Sequence, residues 1–397
     1  MPDKNIIMSK LINLRTFKAF LESSTGGGIL LFICVVLALI IANSPLGDGL
    51  TNLLATQIGY ENESIHLNYS IKQWIDDGLM AIFFLLVGLE IKRELVEGEL
   101  ASPKKAALPI IAAIGGALLP ACIYAIFNYN TDTHHGWGIP MATDIAFALA
   151  VISMLDKRVP ASLKVFLAAL AIVDDLLAIL VIAIFYSSEL HYTYLLYAAG
   201  IFALQITFNK MGVKNILAYI IPGIFMWYFI HHSGIHATIA GVLTAMTLPT
   251  TPDDVESPLE KLEHILAKPV NFLIIPLFAF VNTAIVLSAD MLGGLTSTMG
   301  LGIIIGLIVG KSFGILLTCW ICVKSGLSAL PEAAGWKHMF GVGLLGGIGF
   351  TMSIFVAMLS FADPLHIQEA KLAILTASLL AGLFGYFYLS SLGKKTS

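Results

Sequence analysis

About twelve apolar stretches, each on the order of 20 residues, run from one end of this chain to the other and leave very few folds open. They fall at 25–43, 76–96, 106–127, 136–154, 161–186, 192–209, 214–231, 235–248, 268–287, 300–323, 338–361 and 368–392, with 259–287 readable as one long helix that protrudes from a membrane. Lipid offers no hydrogen bonds to backbone N–H and C=O groups, so a spanning segment must satisfy them within a helix or a closed barrel. These runs are continuous and long enough to cross a membrane as helices. Only 12% of residues are charged, against about 25% in soluble domains, and no polar stretch is long enough to build a separate domain. The chain is therefore expected to be a single all-α transmembrane domain over residues 1–397, with the lipid bilayer as its surroundings. No basic block suggests nucleic acid. Cys34, Cys122, Cys319 and Cys322 all lie in apolar runs and read as small hydrophobes, and Cys319 and Cys322 have no further ligands nearby in sequence, so no cofactor or resident metal is expected.

Lysine and arginine accumulate in cytoplasmic loops, which tests the span count. If the N-terminal segment, residues 1–20, is a retained cytoplasmic end, nineteen of the 22 basic residues fall on the cytoplasmic side. Both termini are then inside. Lys72 and Lys371 sit near outer ends of spans. Lys311 differs, lying inside the run at 300–323.

Charges within such runs are costly and mark function by default. Asp174 and Asp175 sit side by side in the run at 161–186, and Asp144 in the run at 136–154. At 1.5 Å per residue, Lys311 is about 16 Å and Asp174 about 20 Å from the start of its span, so the two can meet near the midplane. Successive helix positions differ by about 100°, so when one aspartate meets Lys311 the other points elsewhere, toward Asp144. Pro140 lacks a backbone donor and should break its span beside Thr143 and Asp144. In the eleventh run Gly341, Gly343, Gly346, Gly347 and Gly349 form a second breaker, although close helix packing explains the same glycines. The two breaks fall in the middles of spans three to five and ten to twelve, which begin on opposite sides, the pattern of an inverted repeat with an ion site between broken helices.

Several motifs together resemble one family. They are the stretches 171–175 (AIVDD), 142–147 (ATDIAF), 83–95 (FFLLVGLEIKREL), 233–238 (SGIHAT) and 347–355 (GIGFTMSIF). The chain is similar over nearly its whole length to the NhaA family of bacterial sodium/proton antiporters. An inverted repeat is a known property of that family, so the repeat argument is not independent of the resemblance. The resemblance implies that Asp174 and Asp175 carry the exchanged Na+ (or Li+) and protons, with Asp175 the more direct sodium ligand and Thr143 a further one. It implies that Asp144 balances the half-helix ends and that Lys311 pairs with Asp174. Glu90, Arg93, Glu94, Glu263 and His264 are similar to the family's cytoplasmic pH-sensing cluster. The first three, with Glu97, also recur on one helix face, where a solvated helix end reads equally well. Asp77, His236 and Gly349 match further family positions. Asp77 also reads as an acid favoured at a helix N-terminus, and His236 as a satisfied core histidine. The chain has Ala267 and Lys268 where some relatives carry a second histidine.

The expectation is a secondary transporter rather than an enzyme, in the bacterial inner membrane, electrogenic and pH-regulated. An intramembrane aspartyl protease also needs two embedded acids, but no Gly-x-Gly-Asp pattern accompanies these, and a mid-span lysine would compete for their shared proton. A cation channel would need a filter motif that is not found. The outer loop at 44–69 is expected to form a small β-hairpin that joins two protomers into a homodimer.

Overall fold

The computed structural model describes residues 24–62, 66–187, 190–250 and 256–393; the expected cytoplasmic N-terminal segment, residues 1–20, and Lys394 and Lys395 lie outside them. The described chain is helical apart from one hairpin. In order come α1 (Ser24–Ala42), α2 (Gly47–Ala55), β1 (Gln57–Glu61), β2 (His66–Ser70), α3 (Met80–Val96), α4 (Pro103–Phe127), α5 (Ile145–Met154), α6 (Ala161–Phe185), α7 (Tyr192–Lys210), α8 (Leu217–His231) and α9 (Ile239–Thr247). They are followed by α10 (Pro258–Pro269), α11 (Ile275–Asn282), α12 (Ala289–Gly294), α13 (Thr298–Ile305), α14 (Lys311–Lys324), α15 (Trp336–Gly346), α16 (Phe350–Ser360) and α17 (Pro364–Leu392). Wide π turns at Trp74–Leu79, Val270–Ile274 and Gly306–Gly310 lead into α3, α11 and α14, and a 3-10 segment, His134–Met141, precedes α5.

Among the described residues six segments are long and apolar enough to cross a membrane: Pro103–Phe127, His134–Met154, Ala161–Phe185, Pro258–Asn282, Thr298–Lys324 and Pro364–Leu392. Two bent pairs bring the number to eight: Gly26–Ala42 with Gly47–Ala55, at 107°, and Trp336–Gly346 with Phe350–Ser360, at 47°. Of the remaining apolar stretches, 192–209 forms the regular 19-residue α7, which is less apolar than those six, and the others give shorter helices. α3 has 17 residues and carries Glu90, Lys92, Arg93 and Glu94, α8 has 15 and α9 only 9. The long helix expected at 259–287 is present as α10 and α11 joined through the π turn.

Local chemistry sets these boundaries. Ser257 opens α10 with a capping box closed by Glu260, and Pro258 occupies the first turn, where its missing N–H costs nothing. Asp363 starts α17 without a capping box, its side chain accepting Leu365 N–H at 2.9 Å, with Pro364 again in the first turn. Helices in lipid gain little from apolar attraction and associate through close packing at small residues. α4 and α14 cross at Gly115 and Gly314, where a β-carbon on Gly115 would stand 2.6 Å from the Gly314 carbonyl oxygen. Only glycine permits that approach, and it brings Lys311, one turn before Gly314, against α4.

The loop at 44–69 does hold a hairpin, with Gln57 opposite Ser70 and Glu61 opposite His66. β1 is exposed along its whole length. Trp74 anchors the hairpin by donating its ring N–H to the Ile58 carbonyl at 2.8 Å.

Candidate ion-binding site

Two chain breaks meet in the centre of the bundle. Residues 142–144 separate the 3-10 segment from α5, and residues 347–349 separate α15 from α16. Each break frees backbone groups that would be expensive to leave unpaired in a membrane. They satisfy one another. Asp144 N–H donates to Ile348 O at 2.7 Å, the Thr143 hydroxyl to Gly346 O at 2.8 Å, and the Ser353 hydroxyl to Ile139 O at 2.8 Å. Gly349 lies within the second break, where a β-carbon would sit 2.9 Å from the Leu307 side chain.

Charge is matched to the half-helix ends. Asp144 caps α5, its Oδ1 accepting Phe147 N–H at 2.9 Å. Its Oδ2 takes Thr351 N–H at 3.1 Å and the Thr351 hydroxyl at 2.5 Å, at the start of α16. One carboxylate thus faces the positive ends of two half-helices. At the opposite polarity, Lys311 Nζ donates to the carbonyl of Met141, the last residue of the 3-10 segment. The same ammonium donates to Asp174 Oδ2 at 2.5 Å, and both side chains are fully buried.

Asp174 and Asp175 point in different directions, as their helical offset requires. Asp174 meets Lys311, whereas Asp175 lines a cavity of about 200 Å³ together with Asp144, Thr351, Glu90, Phe83 and Asn271. The Oδ1 atoms of Asp174 and Asp175 have no hydrogen-bond partner among the described residues. An unpaired buried carboxylate oxygen is costly, and such an atom is able to accept a proton or a cation. Glu90 is part of the cavity's lining. Phe355 packs on Phe84 (ring centroids 5.4 Å apart), Phe278 (6.2 Å) and His236 (5.0 Å). His236 Nε2 lies 3.6 Å from Asp77 Oδ1.

A family model described as "Na+/H+ antiporter 1" matches residues 18–389. The chain belongs to that family. Among curated relatives, the Na(+)/H(+) antiporter NhaA 2 of Flavobacterium johnsoniae is 61% identical over 388 residues, covering 98% of this chain and 95% of its own. The antiporters of Flavobacterium psychrophilum (47%, covering 96% and 97%) and Shewanella frigidimarina (48%, covering 96% and 98%) are similar along their lengths as well. The Na+/H+ antiporter family consists of secondary transporters, not enzymes.

The residues expected by resemblance to sense pH in this antiporter-family chain fall in three places. Arg93 Nε reaches Glu263 Oε2 at 3.0 Å and its terminal nitrogen reaches Glu94 at 3.4 Å, joining α3 to α10. Glu90 faces the cavity. His264 instead turns outward to Glu256, 2.9 Å away, and is 72% exposed. Glu97 accepts the Thr250 hydroxyl at 2.6 Å.

Sequence reasoning missed two arrangements. Lys92 Nζ donates to Met246 O at 2.7 Å and Leu248 O at 2.5 Å, a cation on the negative end of α9. On the side of the bundle away from Glu90, Asn282 Nδ2 donates to Asp76 Oδ1 at 2.6 Å. Asn282 Oδ1 accepts from Lys72 at 2.9 Å and from the buried Lys371 at 3.3 Å, and Lys72 also pairs with Asp76. The i,i+4 spacing of Lys72 and Asp76 was a usable signal. Nothing local connects either to Lys371, 299 positions beyond Lys72.

Proposed function

We propose that this chain exports Na+ or Li+ across a bacterial inner membrane in exchange for entering protons, with Asp175 and Asp174 as the groups that carry them. The observation that carries the reading is Asp175: a fully buried carboxylate with an unpaired oxygen, opening on the cavity that also reaches Asp144 and Glu90. Carboxylate oxygens bind either a proton or a hard cation, and the two compete for the same atoms. At low pH protons occupy the site and cation affinity falls. At high pH the oxygens are free for sodium. Competition of this kind produces exchange without a separate coupling device. Thr143 contributes a hydroxyl beside the site, and Asp144 holds the crossing of the two breaks together.

Lys311 gives Asp174 a counter-charge when no proton is on it, so Asp174 and Asp175 both take part in the proton exchange. Two titrating groups per sodium move net charge, which makes transport electrogenic and couples it to the membrane potential at about 2.3 kcal/mol per charge per 100 mV.

The finer architecture in this reading is twelve spans with both termini cytoplasmic and spans 3–5 related to 10–12 by an inverted repeat. It is supported by the distribution of basic residues and by the two breaks falling in equivalent places. Glu90 then marks the cytoplasmic side, so the cavity opens inward, and the Phe84, Phe278 and Phe355 cluster closes the outer half. Arg93, Glu94 and Glu263 tie α3 to α10 at the inner mouth, where protonation of the carboxylates weakens the tie and gates entry; Glu90 completes this pH-responsive group, while His264, turned out to Glu256, stands apart from it. Asp77 and His236 form its outer counterpart. The exposed β1 edge offers unpaired backbone groups to a second copy, giving a homodimer.

The test is transport in proteoliposomes. Wild-type protein should accumulate sodium against its gradient on an imposed pH gradient and generate a potential, whereas Asp175→Asn should abolish sodium-dependent proton exchange. Sodium flux that only runs downhill would point to a channel, and cleavage of a membrane peptide without flux to a protease. Wild-type exchange by Asp175→Asn refutes the assignment.

A further inference from the structure

Five polar side chains line the cavity at Asp175: Glu90, Asp144, Asp175, Asn271 and Thr351. Asp144 and Thr351 are committed to each other and to Phe147 N–H. Glu90 and Asp175 titrate. Asn271 is neutral at every working pH, and unlike Thr351 its side-chain amide has no hydrogen-bond partner among the described residues.

Its main chain is unusual for a helix as well. Within the π turn Val270–Ile274, the Ile275 N–H donates to Val270 O, five residues back. The next residue is Pro276, which has no N–H to give. The two amides able to close a helical hydrogen bond on the Asn271 carbonyl are therefore directed elsewhere or missing. That carbonyl faces α1 at Gly27, where a β-carbon would stand 3.6 Å from Asn271 O. Gly27 and Gly28 line the same cavity. A side chain at 27 would begin in van der Waals contact with that oxygen, and glycine keeps the space beside it open.

We propose that Asn271 coordinates the transported alkali cation between Glu90 and Asp175, through its freed main-chain carbonyl and its side-chain amide oxygen. Both are hard, uncharged donors of the kind that unwound transporter helices offer to sodium. An amide does not titrate, so this contribution to cation affinity is the same at every pH, and the competition with protons is left to the carboxylates of the site. Asn271 thereby sets how much cation is needed at a given pH without setting the pH dependence itself. The inference rests on Asp175 being the exchanging carboxylate.

The experiment measures exchange in proteoliposomes as a function of Na+ and of Li+ for wild type, Asn271→Ala, Asn271→Gln, Pro276→Ala and Asp175→Asn. Loss of one coordinating oxygen should raise the apparent KM for Na+ about fivefold or more in Asn271→Ala, change the Na+ to Li+ KM ratio, and leave the midpoint of the pH profile in place. Asn271→Gln should recover part of the affinity. Pro276→Ala returns an N–H to the Asn271 carbonyl and should raise the KM with the side chain intact. An unchanged KM in Asn271→Ala, or a fall in maximal rate with KM and ion ratio unmoved, overturns the inference. Asp175→Asn separates the two claims: if it is inactive while Asn271→Ala has wild-type KM values, only the role of Asn271 falls. An active Asp175→Asn removes the reading beneath it.

Discussion

Removing Lys311 should destabilise the protein mainly by leaving Asp174 without a counter-charge. Lys311 Nζ sits 2.5 Å from Asp174 Oδ2 in a site with 0% and 1% side-chain exposure, and the other Asp174 oxygen has no partner among the described residues. Breaking one side of a buried pair costs about 3–5 kcal/mol, because the remaining charge stays buried and uncompensated. The Met141 carbonyl loses its donor as well, which adds about 1–3 kcal/mol. Lys311→Ala is thus expected to lower the thermal midpoint in detergent by at least about 5 °C, read from the fluorescence of the five tryptophans. The decisive comparison is a double-mutant cycle. Asp174→Asn with Lys311→Ala removes both charges, so the double variant should be more stable than Lys311→Ala alone, with a coupling energy of about 1–3 kcal/mol. Additive losses, with the double variant below either single one, would refute the reasoning: the lysine would then be acting by its bulk against α4 and not by its charge.

Further outcomes follow from the same geometry. Arg93→Cys removes the guanidinium shared by Glu94 and Glu263, and should move the activity-versus-pH curve toward alkaline pH by about one unit while peak turnover is retained; a lower rate at every pH with an unmoved midpoint would indicate a structural role. Excision of residues 50–64 removes β1 and should shift the native mass in detergent toward monomer, and an unchanged dimer would count against the hairpin. Gly314→Ala forces a β-carbon onto the α4 backbone at Gly115 and should cost about 1–3 kcal/mol, seen as reduced folded yield.

The sequence on its own determined the solvent of this protein and the identity of its costly residues. Runs of apolar residues this long have one economical structure in lipid, a helix that satisfies its own backbone, so the all-α class needed no tertiary information. Asp144, Asp174, Asp175 and Lys311 were legible for the same reason, since ionisable groups stand out against an apolar background. Pro140 and the glycines from Gly341 to Gly349 marked both breaks because they act through the local backbone. What the tertiary structure decided concerns partners far apart in the chain. That Ile348 O accepts from Asp144 N–H, that Thr351 closes on Asp144, and that Asn282 gathers Lys72 and Lys371 depend on helices separated by 89 to 210 positions. No local pattern encodes such meetings. His264 illustrates the limit from the other side: its neighbour Glu263 turns inward to Arg93, while His264 turns out to Glu256. Adjacent residues on a helix point about 100° apart, and only the packing of α10 against α3 selects which of them reaches the cluster.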